Sequence, residues 1–171
     1  MTSESWTSEK LFSSDRQDWA TPWNLFNVLN EEFSFALDAA ASADNAKCSP
    51  YLTEDDDALT VCWSDLIGTR AVWLNPPYGR EIGDWIEKAY IESKRGCTVV
   101  CLVFCRSDTK WWHQWAMKAA EIRLIPGRVT FEGAQASAPA PSCVLVFDES
   151  RRKPEFITQA PYKRARTRKI S

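Results

Sequence analysis

The chain has 171 residues, a formal net charge of −2 and 44% hydrophobic residues, nine of them Trp. That length and apolar share suit one globular domain with a single core. No run approaches the roughly 18 apolar residues of a membrane span, and the polar start does not read as a secretion signal.

Residues 1–18 are polar and without period, and they are expected to form a mobile N-terminal segment. Trp19-Ala20-Thr21-Pro22-Trp23 then opens a helix, with Thr21 as N-cap and Pro22 at the first helical position. Trp23, Phe26, Val28 and Leu29 give that helix an apolar face. Phe33 to Leu37 alternates and predicts a strand ending at Asp38, which leads into Ala39-Ala40-Ala41-Ser42. Alanine does not readily take positive φ, so this turn is expected to be conventional or helical. In the helical case Asp38 serves as an N-cap.

The stretch between Asp38 and Asn75 is too short for two full strand–helix units, which predicts an abbreviated half-sheet. It is expected to hold an extended piece near Cys48–Leu52 and a helix through Ala58–Trp63. Asp55, Asp56 and Asp57 lie between them.

Ala71–Leu74 reads as a short buried strand, stopped by Asn75-Pro76-Pro77-Tyr78. Neither proline can donate to a sheet ladder and both fix φ, so the strand ends in a rigid turn. The turn presents the Asn75 amide, the Pro76 carbonyl and the Tyr78 ring. Two acceptors beside an aromatic face suit the exocyclic amino group of a flat base. A strand-ending turn with an aromatic packed behind it would use the same residues.

Ile82, Trp85, Ile86, Ala89, Tyr90 and Ile91 recur at helical spacing, giving an amphipathic helix over 81–94. Thr98–Phe104 is unbroken apolar sequence, a buried central strand. Cys97, Cys101 and Cys105 share parity there, so they line one face and do not pair with one another. With one His and no C-x-x-C pair, no metal site is expected, and the six cysteines read as free thiols of a reducing compartment. Ser107 or Asp108 is expected to cap a helix carrying Trp111, Trp112, Trp115 and Ala119, with the tryptophans as core. His113 lies on that helix and reads as structural. Glu121–Ile125 is a further strand, and Val129–Phe131 and Cys143–Phe147 are expected to pair around a Gly/Ala/Ser/Pro loop.

Residues 151–171 hold eight Lys/Arg against one Glu, a balance of +7. Thirteen basic and twenty-two acidic residues leave −9 on the rest. The stretch therefore reads as a basic tail that meets a polyanion, outside a domain spanning 19–150.

Four blocks in order carry a resemblance: Trp19-Ala20-Thr21-Pro22, Leu37-Asp38-Ala39-Ala40, the Asn-Pro-Pro-Tyr turn, and Gly127-Arg128-Val129-Thr130-Phe131 before a Pro-Ser and a last strand. From about Trp19 to Phe147 the chain resembles the small phage and prophage Dam-like DNA N6-adenine methyltransferases. The resemblance implies an abbreviated Rossmann-like α/β domain dependent on S-adenosylmethionine, its sheet mostly parallel with an antiparallel closing strand. Double-stranded DNA is the implied partner, and the cytoplasm of a bacterial host the implied location. Asn75, Pro76, Pro77 and Tyr78 would be catalytic, with Tyr78 stacked on an extruded adenine and Phe131 closing its other face. Thr21 and Pro22 would border the methionine end of the cofactor. Ala39 and Ala40 would lie beneath it, Asp38 would accept from its ammonium group or orient the loop, and Asp57 would reach the ribose, although an acidic loop or helix cap reads almost as well there. Arg106, Arg128 and the tail residues Arg164, Arg166 and Arg168 would contact phosphates. Two other readings fit the turn: methylation of another planar amide, such as protein glutamine, and a catalytically weak DNA-binding module.

Overall fold

Thr98–Phe104, seven residues without a charge, forms the strand on which the sheet is built in the computed structural model, which describes residues 19–151 and 155–158. The strands are β1 (Leu37–Asp38), β2 (Ala71–Leu74), β3 (Thr98–Phe104), β4 (Glu121–Leu124), β5 (Ser142–Phe147) and β6 (Glu155–Thr158). They form one sheet in the order β1-β2-β3-β5-β4-β6. β1, β2 and β3 pair in parallel, as do β4 and β6, while β5 runs against both of its neighbours. The expected mostly parallel α/β sheet is present, its one reversed strand inserted between β3 and β4.

Strand parity builds two apolar layers. Val72, Leu74, Val99, Cys101 and Val103 point to the side of α2 (Trp63–Ile67), α3 (Ile82–Lys94) and α4 (Lys110–Gln114). Ala71, Trp73, Val100 and Leu102 point the other way, onto Leu25, Phe26 and Leu29 of α1 (Trp23–Phe33) and onto Val129 and Phe131. Cys97, Cys101 and Cys143 are buried, and all six cysteines are free. Among the described residues no helix is long and apolar enough to cross a membrane, and no three His, Cys, Asp or Glu stand together as metal ligands.

Several local expectations need correction. Pro22, not Thr21, is the N-cap of α1, because its carbonyl accepts from the N–H groups of Leu25 and Phe26. That helix runs on through Phe33 and ends at Ser34 in the left-handed region, so β1 shrinks to two residues. The expected helix over 58–63 gives way to a 3-10 turn at Glu54–Asp56 and to α2, which begins where the expected helix would end. Thr53 and Asp56 close that turn reciprocally as a capping box. α4 is capped by Thr109 without a side-chain bond, since Asp108 pairs with Arg106 instead. Val129–Phe131 is not a strand. Val129 and Phe131 are buried around an exposed Thr130, which mimics strand alternation, but the Val129 carbonyl accepts from Ala138 within the loop. β5 pairs with β4 instead.

The sheet also extends into the stretch read as a tail, because β6 pairs with β4. The expected mobile segment 1–18 and the tail arginines 164, 166 and 168 lie outside the described residues.

Candidate active site

Parallel strands leave a crevice beyond their carboxyl ends, and here β1 and β2 end together, in register at Asp38 and Trp73. A cleft of about 1000 Å³ opens at this edge. Thr21, Asp38, Ala39, Ala40, Asp57, Asn75 and Pro77 all line it, so residues far apart in sequence share one wall. Pro22, Pro76, Tyr78, Phe131, Arg106 and Arg128 do not line it.

Asp38 is 2% exposed and caps no helix. Its carboxylate accepts from the backbone N–H of Lys47 at 2.9 Å and of Ala40 at 3.4 Å, which ties the loop after β1 around it. Burial pushes its pKa up to about 6, against the pull of those two N–H groups and of the Lys47 charge. None of Ala39, Ala40, Ala41 and Ser42 has positive φ, so the glycine-free turn is a conventional one. The Leu52 N–H donates to the Asp38 carbonyl, and the expected extended piece lies beside β1 through a parallel bridge at Tyr51.

The three consecutive aspartates separate by task. Both Thr53 N–H and Thr53 Oγ1 donate to the Asp56 carboxylate at 2.8 Å, and these bonds hold its pKa low. Asp55 and Asp57 line the cleft, Asp57 with φ 47°. With Asp38, Glu54 and Glu81 the wall carries five carboxylates and one cation, Lys47. The Lys47 ammonium is itself paired with Glu132 at 2.9 Å. The cleft therefore favours a cationic ligand and disfavours a polyanion.

The rigid turn fixes Asn75 at the rim. The Asn75 side-chain amide donates to the Trp19 carbonyl, bringing together residues 56 positions apart. The Tyr78 hydroxyl lies 3.3 Å from Asn75 Oδ1 and 3.0 Å from the Leu102 carbonyl, and its one proton favours the shorter contact. Asn75 Oδ1 thus keeps acceptor capacity. One Tyr78 face is stacked on Phe104, and burial of its hydroxyl holds its pKa well above the usual phenol value.

Phe131 is 2% exposed and packs against Trp19 at 5.3 Å and edge-on to Tyr78 at 6.3 Å. Trp19 lines the cleft together with Trp73 and Trp85, and its carbonyl accepts from the Asn75 amide. Trp19 opens the Trp-Ala-Thr-Pro block that carries part of the resemblance, but nothing in its local pattern assigns it to the cleft. Arg106 pairs with Asp108 at 3.1 Å, and Arg128 donates to the Ala138 carbonyl at 3.2 Å.

The chain matches the family described as DNA N-6-adenine-methyltransferase (Dam) over residues 8–169. It is 32% identical over 122 residues to the DNA N-6-adenine-methyltransferase of Haemophilus phage HP1 (strain HP1c1), covering 70% of this chain and 68% of that protein. To the DNA N-6-adenine-methyltransferase of Escherichia phage T1 it is 29% identical over 116 residues, covering 67% of this chain and 47% of that protein. The chain thus spans about half the length of the second relative.

Proposed function

This chain belongs to the Dam family of DNA N-6-adenine-methyltransferases, and from that premise we propose that it methylates the exocyclic amino nitrogen of an adenine in DNA, with S-adenosylmethionine as donor. The observation that carries the reading is the shared cleft, which is lined both by Asn75 and Pro77 of the Asn-Pro-Pro-Tyr turn and by Asp38 with its alanine loop.

The residues present fit the donor. Five carboxylates suit a ligand bearing a sulfonium and an ammonium charge, and the small side chains of Ala39 and Ala40 allow close backbone approach. Thr21 Oγ1 is buried without a hydrogen-bond partner at the cleft wall, so the chain itself leaves that polar group unsatisfied. Asp38 would hold the ammonium and Thr21 would border the same end, with Pro22 behind it. Asp57 would take the ribose hydroxyls. When bound, S-adenosylmethionine supplies an electrophilic methyl group.

The work left to the protein is positioning. An adenine amino group has its lone pair delocalised into the ring. Asn75 Oδ1 and the Pro76 carbonyl would accept its two N–H bonds and turn the lone pair toward the cleft. Such alignment supplies roughly several kcal/mol of barrier reduction. No side chain needs to remove a proton before attack. An adenine in duplex DNA reaches this rim only out of the stack, at a cost of a few kcal/mol. Tyr78, stacked on Phe104 by one face, would receive the base on its other face. Arg106, Arg128 and the basic residues near the C-terminus would hold phosphates beyond the acidic cleft.

The test is to incubate the protein with double-stranded DNA and methyl-labelled S-adenosylmethionine, digest the DNA and identify the labelled nucleoside. N6-methyldeoxyadenosine is the expected product. Label in another nucleoside, or only in protein, would overturn the assignment.

A further inference from the structure

Among the described residues three buried side-chain polar atoms have no hydrogen-bond partner: Thr21 Oγ1, Trp85 Nε1 and Ser142 Oγ. Two of them belong to residues of the same cleft wall, Thr21 and Trp85. Trp85 lies on α3, the helix that follows the Asn-Pro-Pro-Tyr turn, and is 9% exposed. Its ring belongs to the cluster that holds Leu52 and Ala58, with Leu59 packed against it. All three of these neighbours line the cleft. The helical spacing alone makes Trp85 a core residue, and the ring does serve the core. The core has no use for its N–H.

An indole nitrogen can only donate, and a donor buried without an acceptor is costly. By contrast Trp63, also buried on this side of the sheet, gives its Nε1–H to the Ala58 carbonyl at 2.9 Å. The cleft around Trp85 is apolar where Leu52, Ala58, Leu59 and Pro77 contribute, and polar near Asp38, Ser42 and Asn45. An adenosyl ligand is divided the same way. Its amino-acid end is charged, and its base is a flat ring whose edge carries nitrogen acceptors.

Resting on the cofactor reading above, we infer that Trp85 is a further ligand-binding and specificity-determining residue, whose indole N–H donates to a ring nitrogen of the cofactor's adenine. The contact favours ligands with an acceptor at that edge. It also links the helix carrying Trp85 to the turn carrying Asn75, because α3 begins only a few residues after that turn.

The experiment is calorimetry with S-adenosylhomocysteine and three analogues, each with one adenine ring nitrogen replaced by C–H, against wild type and Trp85→Phe. Phenylalanine keeps an aromatic ring and removes the donor together with part of the indole's bulk, so the comparison across analogues isolates the hydrogen bond. Loss of one neutral hydrogen bond predicts an affinity for the parent ligand about three- to tenfold weaker in the variant. One analogue should lose a similar factor with wild type and nothing further with Trp85→Phe. Equal affinities in the two proteins, or analogue losses of the same size in both, would overturn the inference. If the variant does not fold, the wild-type series still decides. Three analogues that all bind wild type as well as the parent would overturn it too. Failure of wild type to bind S-adenosylhomocysteine at all would remove the cofactor reading itself, a distinct outcome.

Discussion

Tyr78 lies face to face with Phe104, their ring centroids 4.2 Å apart and their planes within 18° of parallel. Phe104 ends β3 and Tyr78 ends the turn after β2, so the stack joins the rims of two adjacent strands. The Tyr78 hydroxyl reinforces it through the Leu102 carbonyl at 3.0 Å. The ring is thus held by one face and one edge. Tyr78→Phe is expected to keep the stack, lose about 0.5–1.5 kcal/mol of stability and retain most methyl transfer. Tyr78→Ala removes the ring and should cost roughly 1–3 kcal/mol in base stacking as well. Comparing turnover of the two variants on one DNA decides the role. A Phe variant as inactive as Ala would shift the work to the hydroxyl beside Asn75.

Asn75→Ala separates chemistry from donor binding. The amide is anchored through the Trp19 carbonyl and retains acceptor capacity on Oδ1. Removing it should lower the methylation rate by the equivalent of about 3–4 kcal/mol, the scale of a lost preorganised contact. Affinity for S-adenosylmethionine should change little. Single-turnover rates and calorimetry on the same variant check both halves. Near-normal turnover in the alanine variant would remove Asn75 from the mechanism.

Much of this frame was legible because its signals are local. Thr98–Phe104 is apolar throughout and is buried on both faces, and 81–94 has helical period and packs by one face. The failures share a cause: tertiary contacts decided what local pattern left open. Val129 and Phe131 alternate like a strand because a loop buries every second residue, without any ladder. Glu155–Thr158 holds only a short apolar pair near many basic residues, which reads as a tail until β4 offers an edge. Thr21 looks like a cap, yet its hydroxyl makes no capping bond and stands buried at the cleft. In the site, Asp38 and Asn75 were readable from motifs, whereas Trp85 was not. Nothing in its helical spacing reveals an unsatisfied N–H.

Asp38 gives the cleft a pH dependence. Burial raises its pKa from 3.8 to about 6. A carboxyl raised in the folded state takes up protons on folding, so its effect on the ligand-free protein is a loss of stability as pH rises between those two values. A cationic ligand has the opposite requirement, since it needs the ionised carboxylate. Affinity for S-adenosylmethionine is therefore expected to fall on the order of tenfold as pH drops from about 7.5 to about 5. Asp38→Asn should weaken binding at the higher pH by about tenfold or more and flatten the profile. A profile of unchanged shape in the Asn variant would assign the titration to another group.

The last prediction concerns the basic C-terminal stretch, and the fold changes where to cut it. β6 pairs with β4, and Arg151 bonds to Glu121, so removal of 151–171 would disturb the sheet. A truncation after Thr158 spares both and removes Lys163, Arg164, Arg166, Arg168 and Lys169, five cations and no acid. The described cleft is acidic, so DNA affinity must come from outside it. Each phosphate neutralised adds about 0.9 to the slope of log affinity against log salt. If all five residues engage duplex DNA, truncation should flatten that slope by roughly 4–5 units. S-adenosylmethionine affinity, the base modified and turnover at saturating DNA should survive, because Asp38 in β1 and Asn75 in the turn directly after β2 both belong to the retained part. DNA titrations of both proteins across a salt series provide the measurement. Equal slopes would make the terminal stretch a bystander and leave Arg80, Arg106 and Arg128, beyond the ends of β2, β3 and β4, to carry the phosphates.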